Sequence, residues 1–393
     1  MTDAYLTQDQ LLLAGVEATP GTEAALTPAS DAIKVFNLRF AAAFETDPGD
    51  TEHTSSLDPG EPTVLGGAMT ATFGVRIKGS GDGATPPEWG RLLRACGLTE
   101  VISAAPVADT AQAGAAQTIT LHAGASAVDD FYKGMVIELT GGPGSGESNV
   151  ITAYDGTTKV AAVARPWTEA PTLATNFSIP ANVLYKPASA DLETLTLWGY
   201  QNANRSAVQS RLRKIKGAMA TFTLNLGARQ IPVLNFTCRG QLAAKPVNVA
   251  RPAGIVFDAG QPPPYRGAES LIGGTEVKFN TLSVDYGANV AQPDDAAEEY
   301  GLDTAAITAR RVTGTLTPYL KRLSTRDFMS LFLDQIARDQ AYRWGKAPGN
   351  RASLLLPRCR YTGAEETGID GFEAESAPFA PQGPDNTFWL CMH

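Results

Sequence analysis

Gly217-Ala218-Met219-Ala220-Thr221-Phe222-Thr223-Leu224-Asn225-Leu226, a turn near Gly227 to Gln230, then Pro232-Val233-Leu234-Asn235-Phe236-Thr237-Cys238-Arg239-Gly240 is the stretch that decides the fold. Two runs rich in strand-forming residues flank a short glycine-led turn, which is how a β-hairpin is written. Matching strands recur at Val277 to Tyr286 and Arg311 to Tyr319, and closing strands at Ala352 to Arg360 and Thr387 to Met392. Upstream, Lys34 to Phe40 partly alternates, and Ala68 to Lys78 alternates clearly. There Ala71, Phe73, Val75 and Ile77 share one side, while Thr70, Thr72, Arg76 and Lys78 share the other. A further strand reads from Asp191 to Trp198.

Composition agrees. The 393 residues exceed one ordinary core, and 38 glycines with 26 prolines fall between short runs rich in Val, Thr, Leu and Phe, a β-dominated pattern. Two helices are expected. Thr85 to Gly97 carries a capping threonine, early prolines, a face of Trp89, Leu92, Leu93 and Cys96, and a terminal glycine. Ser324 to Gly345 opens on a capping box with Asp327 at its third position and continues with Phe328, Leu331, Phe332, Gln335 and Ile336. Residues 1–30 read as an arm with one amphipathic turn at Leu11 to Leu13, and 104–118 as a linker. Gln117 to Pro180 reads as a self-contained small β unit whose Asp155-Gly156 turn suits a tight hairpin.

Chemistry is sparse. His53, His122 and His393 are too few and too scattered for a zinc site or a catalytic triad. Gly141 to Ser148 lacks the lysine of a phosphate loop and precedes a strand, so it reads as a hairpin loop. The carboxylates from Glu45 to Glu61, and those of Asp294, Asp295, Glu298 and Glu299, match no acid–base or calcium spacing and read as solvated charge. Cys96, Cys238, Cys359 and Cys391 are scattered and read as free buried thiols of a reducing compartment. No leader and no apolar run of membrane length is visible, so a soluble cytoplasmic protein is expected. Net charge is −9, with basic blocks at 191–260 and 304–361 between acidic ones, which favours self-complementary contacts and disfavours tight DNA binding.

Several pieces in order resemble the major tail tube proteins of long-tailed bacteriophages. They are Glu17 to Thr22, the loop ending Ser55 to Gly60 with the strand running into Gly79-Ser80-Gly81, the helix Pro87 to Gly97, Gly217 to Leu226, and Leu234 to Gly240. The resemblance covers roughly residues 15–103 and 190–320, and the insert resembles a small β module of phage structural proteins, marked by Asp129 to Met135 and Tyr154 to Lys159.

It implies a mainly β, tail-tube-type sandwich or barrel with a flanking helix, split into 1–103 and 186–393 around an outward-facing small β-barrel-like domain at 104–185. Six copies would form a ring, and rings would stack head to tail around a DNA channel whose lining is acidic or neutral. The long loop Glu45 to Pro62, with Asp47, Asp50, Glu52, Asp58 and Glu61, would contact the next ring. The implied partners are sister copies, a tape-measure protein inside the lumen, tail terminator and distal tail proteins at the ends, and double-stranded DNA in passage. Catalysis, cofactors, metals and membrane binding are not implied, and the place of action is the virion tail, assembled in a bacterial cytoplasm. Two other readings compete: a decoration or baseplate component, and a carbohydrate-binding or hydrolytic β protein. The latter needs paired carboxylates in an aromatic cleft, whereas the tryptophans read as core.

Overall fold

The computed structural model describes residues 5–49, 58, 60–203 and 210–393. The chain opens with β1 (Tyr5–Val16), the single turn α1 (Pro28–Asp31), β2 (Ala32–Ile33) and the long hairpin β3 (Phe36–Asp47) with β4 (Thr63–Arg76). Helix α2 (Gly90–Arg94) and β5 (Leu98–Ser103) lead to β6 (Val107–Thr110), β7 (Ala113–Ala115), β8 (Thr118–Thr120), β9 (Val136–Gly141), β10 (Ser148–Asp155), β11 (Val160–Val163) and β12 (Asn176–Ile179). The chain then forms β13 (Asn182–Pro187), β14 (Leu195–Ala203), β15 (Ser210–Gly227), β16 (Val233–Val249), β17 (Glu269–Ile272), β18 (Thr275–Glu276) and β19 (Phe279–Asp285). It ends with β20 (Ala288–Ala291), β21 (Ala306–Arg310), β22 (Thr313–Pro318), α3 (Phe328–Leu333), β23 (Arg338–Trp344), β24 (Ala352–Tyr361), β25 (Glu365–Ile369), β26 (Phe372–Ala380) and β27 (Trp389–Met392). Strand accounts for 52% of the chain and helix for 4%, so the protein is mainly β.

Three layers result. The first sheet runs β3–β4–β16–β15; the first half of β15 then pairs with β14, which pairs with β1, and its second half pairs with β19, followed by β22 and β26. The middle sheet runs β5–β13–β27–β24–β23–β17–β18. The third holds β6 to β12.

The middle sheet is buried on both faces, and its residues alternate between two cores. Val183, Tyr185, Tyr342, Leu354, Leu356, Leu390 and Met392 join Phe73, Phe222, Phe236 and Trp89 beneath the first sheet. Leu184, Leu271, Ala341, Leu355, Trp389 and Cys391 join Ile119, Ile137, Ile151 and Phe177 of the third. The unit read from the sequence as self-contained therefore closes its core on the body. Residues 104–118 are likewise no linker, because β6, β7 and the start of β8 are strands of that third sheet.

Three local expectations are corrected. Leu11 to Leu13 form no helical turn; they lie buried in β1, registered with Tyr200, Gly199 and Trp198. A contiguous apolar run is ambiguous between helix and strand, and pairing with β14 settles it. The second helix spans only Phe328–Leu333. Asp327 is its N-cap, accepting from Ser330 N, and Arg338–Trp344 is a strand. Helix α2 keeps the expected buried face but is five residues long, and Thr85 hydrogen-bonds to Asp82 instead of capping it.

Lys78 is also buried, not turned to solvent. Its Nζ lies 3.2 Å from Glu88 Oε1 and donates to Asp258 O, while Trp89 Nε1 donates to Lys78 O. This network pins the turn before α2 to the segment around Asp258. Among the described residues no helix is long and apolar enough to cross a membrane.

Candidate assembly surfaces

The first sheet projects an arm. The β4–β16 ladder pairs Arg76 with Val233 and ends where Met69 meets Gly240. Past that row, residues 63–68 of β4 continue with β3 alone. Gly66 (φ 143°) and Gly67 (φ 157°) make the departure possible. A Cβ would come within 2.4 Å of Tyr300 O at the first and 2.2 Å of Ala43 O at the second. Gly67 N donates to Tyr300 O, and Phe44 meets the Tyr300 ring edge-on at 5.6 Å, so the loop between β20 and β21 props the arm's base.

The expected contact residues sort unevenly on this arm. Asp47 is the last residue of β3, registered with Thr63, and its Oδ1 accepts from Gly49 N at 3.0 Å. Glu61 is exposed just before β4, beside the Gly60 N to Gly49 O bond that closes the loop's base. Asp58 is exposed, and Asp50 and Glu52 lie outside the described residues. Reading the sequence as a loop missed three neighbours: Glu45 on the strand, and Val64 and Leu65, exposed at 63% and 62%. Two adjacent β-formers just after an acidic, proline-broken loop were the available signal.

β3 itself is a free edge. Among the described residues its only ladder is with β4. Twelve residues with neither proline nor lysine present unpaired backbone groups there, an aggregation hazard unless something covers them.

The outer face of the same sheet is an array of small polar groups. Thr72, Thr237 and Thr221 stand in register across β4, β16 and β15, with Asn235 beside Thr223. Asn225, Ser283 and Thr315 continue the array across β15, β19 and β22. Arg39, Arg76, Arg239 and Asp285 are exposed charges among them. The face is hydrated, and these four residues give it a modest positive charge.

At the sheet's other end, beyond Pro318 of β22, exposed apolar side chains gather: Leu320 at 44%, Leu323 at 76%, Leu333 at 66% and Phe372 at 68%. Tyr319 bridges to Ala374 and Leu320 N donates to Glu373 O, which ties this segment to β26. Lys321 and Arg322 are exposed here, and no ion pair holds them among the described residues. Of the face expected for the helix here, Phe328, Leu331, Phe332, Gln335 and Ile336, only Phe328 is fully buried.

A cavity of about 470 Å³ lies elsewhere, between the middle and third sheets, lined by Glu138, Glu147, Glu269, Arg343, Arg351 and His393 among others. Arg165 Nε sits 2.7 Å from Glu269 Oε1 and its Nη1 3.3 Å from Glu147, while Arg351 Nη1 is 2.8 Å from Glu138. Arg343 Nε lies 2.8 Å from Glu269 Oε2, yet the N–H is not aimed to make a hydrogen bond, so that contact is chiefly Coulombic. Burial, helped by Arg351 and Arg343, pushes the His393 imidazole down to about 3.

These charges neutralise one another across a seam instead of converging on a vacant point. The four cysteines are buried free thiols, and burial raises the pKa of each. No group of three or more His, Cys, Asp or Glu placed to hold a metal occurs among the described residues. No family model and no curated protein matches the chain.

Proposed function

We propose that this chain is a structural, non-catalytic subunit of a bacteriophage tail tube. Copies join into rings of six, the rings stack head to tail, and the hollow centre conducts DNA into the host. The observation that carries the reading is the β3 edge, twelve residues long, which among the described residues ladders with β4 alone and leaves its other side open. A sheet left open in this way is completed by another copy.

The layering supports the same reading. With the Thr/Asn/Ser face turned to the lumen, passing phosphates meet chiefly hydroxyls and amides, with Arg39, Arg76 and Arg239 as the cations among them. The third sheet lies on the far side of the middle one and so faces outward. Different exposed apolar groups at the two ends, Val64 and Leu65 at one and Leu323 and Phe372 at the other, suit a heterologous contact, which propagates as an open filament. A tape-measure protein would occupy the lumen during assembly, terminator and distal tail proteins would close the ends, and the assembled protein would reside in the virion tail.

Electron microscopy of the purified full-length chain tests the proposal. Rings or hollow tubes are expected; a population that stays monomeric over a wide concentration range overturns it.

A further inference from the structure

The charges of the seam are paired off, but other polar atoms that face its cavity are not. Glu269 on β17 is registered with Arg343 on β23, and Arg351 exchanges both backbone hydrogen bonds with His393. Leu271, Ala341 and Cys391, two residues from Glu269, Arg343 and His393, belong to the core shared with the third sheet, so these side chains point that way. Glu138 and Ser148, registered across β9 and β10, line the opposite wall. Thr140, Gly146 and Lys346 also line the cavity and are exposed, so it opens to solvent there.

His393 is 6% exposed, and its Nδ1 has no hydrogen-bond partner among the described residues. Arg343 Nε and Glu269 Oε2 also lack one, although they lie 2.8 Å apart. The lining itself carries no net charge, with Glu138, Glu147 and Glu269 set against Arg343, Lys346 and Arg351.

We propose that this cavity binds a small, uncharged, polyhydroxylated ligand of monosaccharide size, held by His393, Arg343 and Glu269. The unpartnered atoms select hydroxyl groups. Burial and the two arginines keep the imidazole neutral, so one ring nitrogen donates and the other accepts, and a hydroxyl answers either. A hydroxyl set between Arg343 and Glu269 accepts from the Nε–H and donates to Oε2, which neither an ammonium nor a carboxylate can do. Two such places call for two hydroxyls on one molecule. Charge argues the same way, because a carboxylate in the cavity would meet three carboxylates and an ammonium would meet three cations. A volume of about 470 Å³ at a junction between packed layers falls within the range of small-molecule sites, roughly 300–1,000 Å³. The inference goes beyond the tube reading and needs no assembly, so it is tested on the unassembled chain.

Titration of the full chain with D-glucose, D-galactose and D-mannose, followed by the imidazole nitrogen signals in NMR, tests it. At least one of these hexoses is expected to bind and to move the His393 signal, identified by its loss in His393→Asn, while His122 stays unmoved. D-glucosamine and D-glucuronate, similar in size but charged, are expected to bind about tenfold more weakly or worse. Thr140→Trp, at an exposed position of the mouth, is expected to abolish the response. A His393 signal that no hexose moves overturns the proposal and leaves water as the cavity's occupant. Charged sugars that bind as well as neutral ones, or a response that survives Thr140→Trp, overturn it too. Should Thr140→Trp misfold, the wild-type titration with neutral and charged sugars decides alone.

Discussion

The seam between the middle and third sheets and the two ends of the first sheet are made of the same materials, opposite charges set among apolar side chains. At the seam, Arg165, Arg343 and Arg351 already lie against Glu147, Glu269 and Glu138, over a core closed by Leu184, Leu355 and Trp389. At the ends, Val64 and Leu65, and Leu323 and Phe372, remain exposed among charged side chains. A chain that can neutralise its charges internally does so where it needs rigidity. Where side chains stay exposed, water solvates them and they add little to the monomer's stability.

Truncation at the seam is the strongest way to break this contrast. Glu269→Ala removes the carboxylate that faces both Arg165 and Arg343 and leaves two guanidiniums side by side. A fully buried ion-pair truncation costs about 3–5 kcal/mol, and the residual exposure of both partners brings the expectation down to about 2–4 kcal/mol. Urea denaturation of the monomer measures it. A loss under about 1 kcal/mol would mean that water, not Glu269, solvates the two arginines.

How much of this was legible in the sequence follows the same division. Alternation in Ala68 to Lys78 and in the Gly217 to Gly240 hairpin gave the first sheet, because one of its faces is wet and the period-two signal survives. The middle sheet is buried on both sides, so Leu354-Leu355-Leu356 and Trp389-Leu390-Cys391-Met392 show no alternation, and nothing in them says that successive residues serve different cores. Leu11-Leu12-Leu13 misled for a related reason, since uninterrupted apolar runs do not reveal their period. In α3 the helical spacing read from the sequence continued past Leu333 to Gln335 and Ile336, which lie after the helix and before β23. Of the candidate surface, the acidic half could be read from Asp47 and Glu61. The exposed apolar end beyond Pro318 could not, because Leu323 and Phe372 belong to segments joined only through the β22–β26 pairing.

Acid sharpens the comparison more gently. The His393 imidazole is held near 3 by burial and by Arg351 and Arg343, against about 6.5 in an unfolded chain. Between those values the unfolded state binds a proton that the folded state does not, so stability falls as pH drops from about 6.5 toward 3. By pH 5 the loss from this group is at most ~2 kcal/mol. Urea midpoints at pH 7 and pH 5 should therefore separate more for the wild-type chain than for His393→Asn. Equal separations would show that the imidazole is open to solvent and that the seam is wetter than its geometry suggests.

The smallest expected effect discriminates best. Leu323→Ser at the open end should change monomer stability by no more than about 0.5 kcal/mol, because a side chain 76% exposed gives up little burial. Leu355→Ser at the seam, where the side chain is 0% exposed, should cost at least the 2–5 kcal/mol typical of a buried leucine truncation, since it opens a void and inserts a hydroxyl. Chemistry and chain length are the same in both variants, and only the partner differs: another part of the chain in one, water in the other. If Leu323→Ser proved as costly as Leu355→Ser, the end surface would be a piece of the monomer's own core and would have nothing to offer a second copy. If it proves silent in the monomer, whatever Leu323 contributes must appear when copies meet.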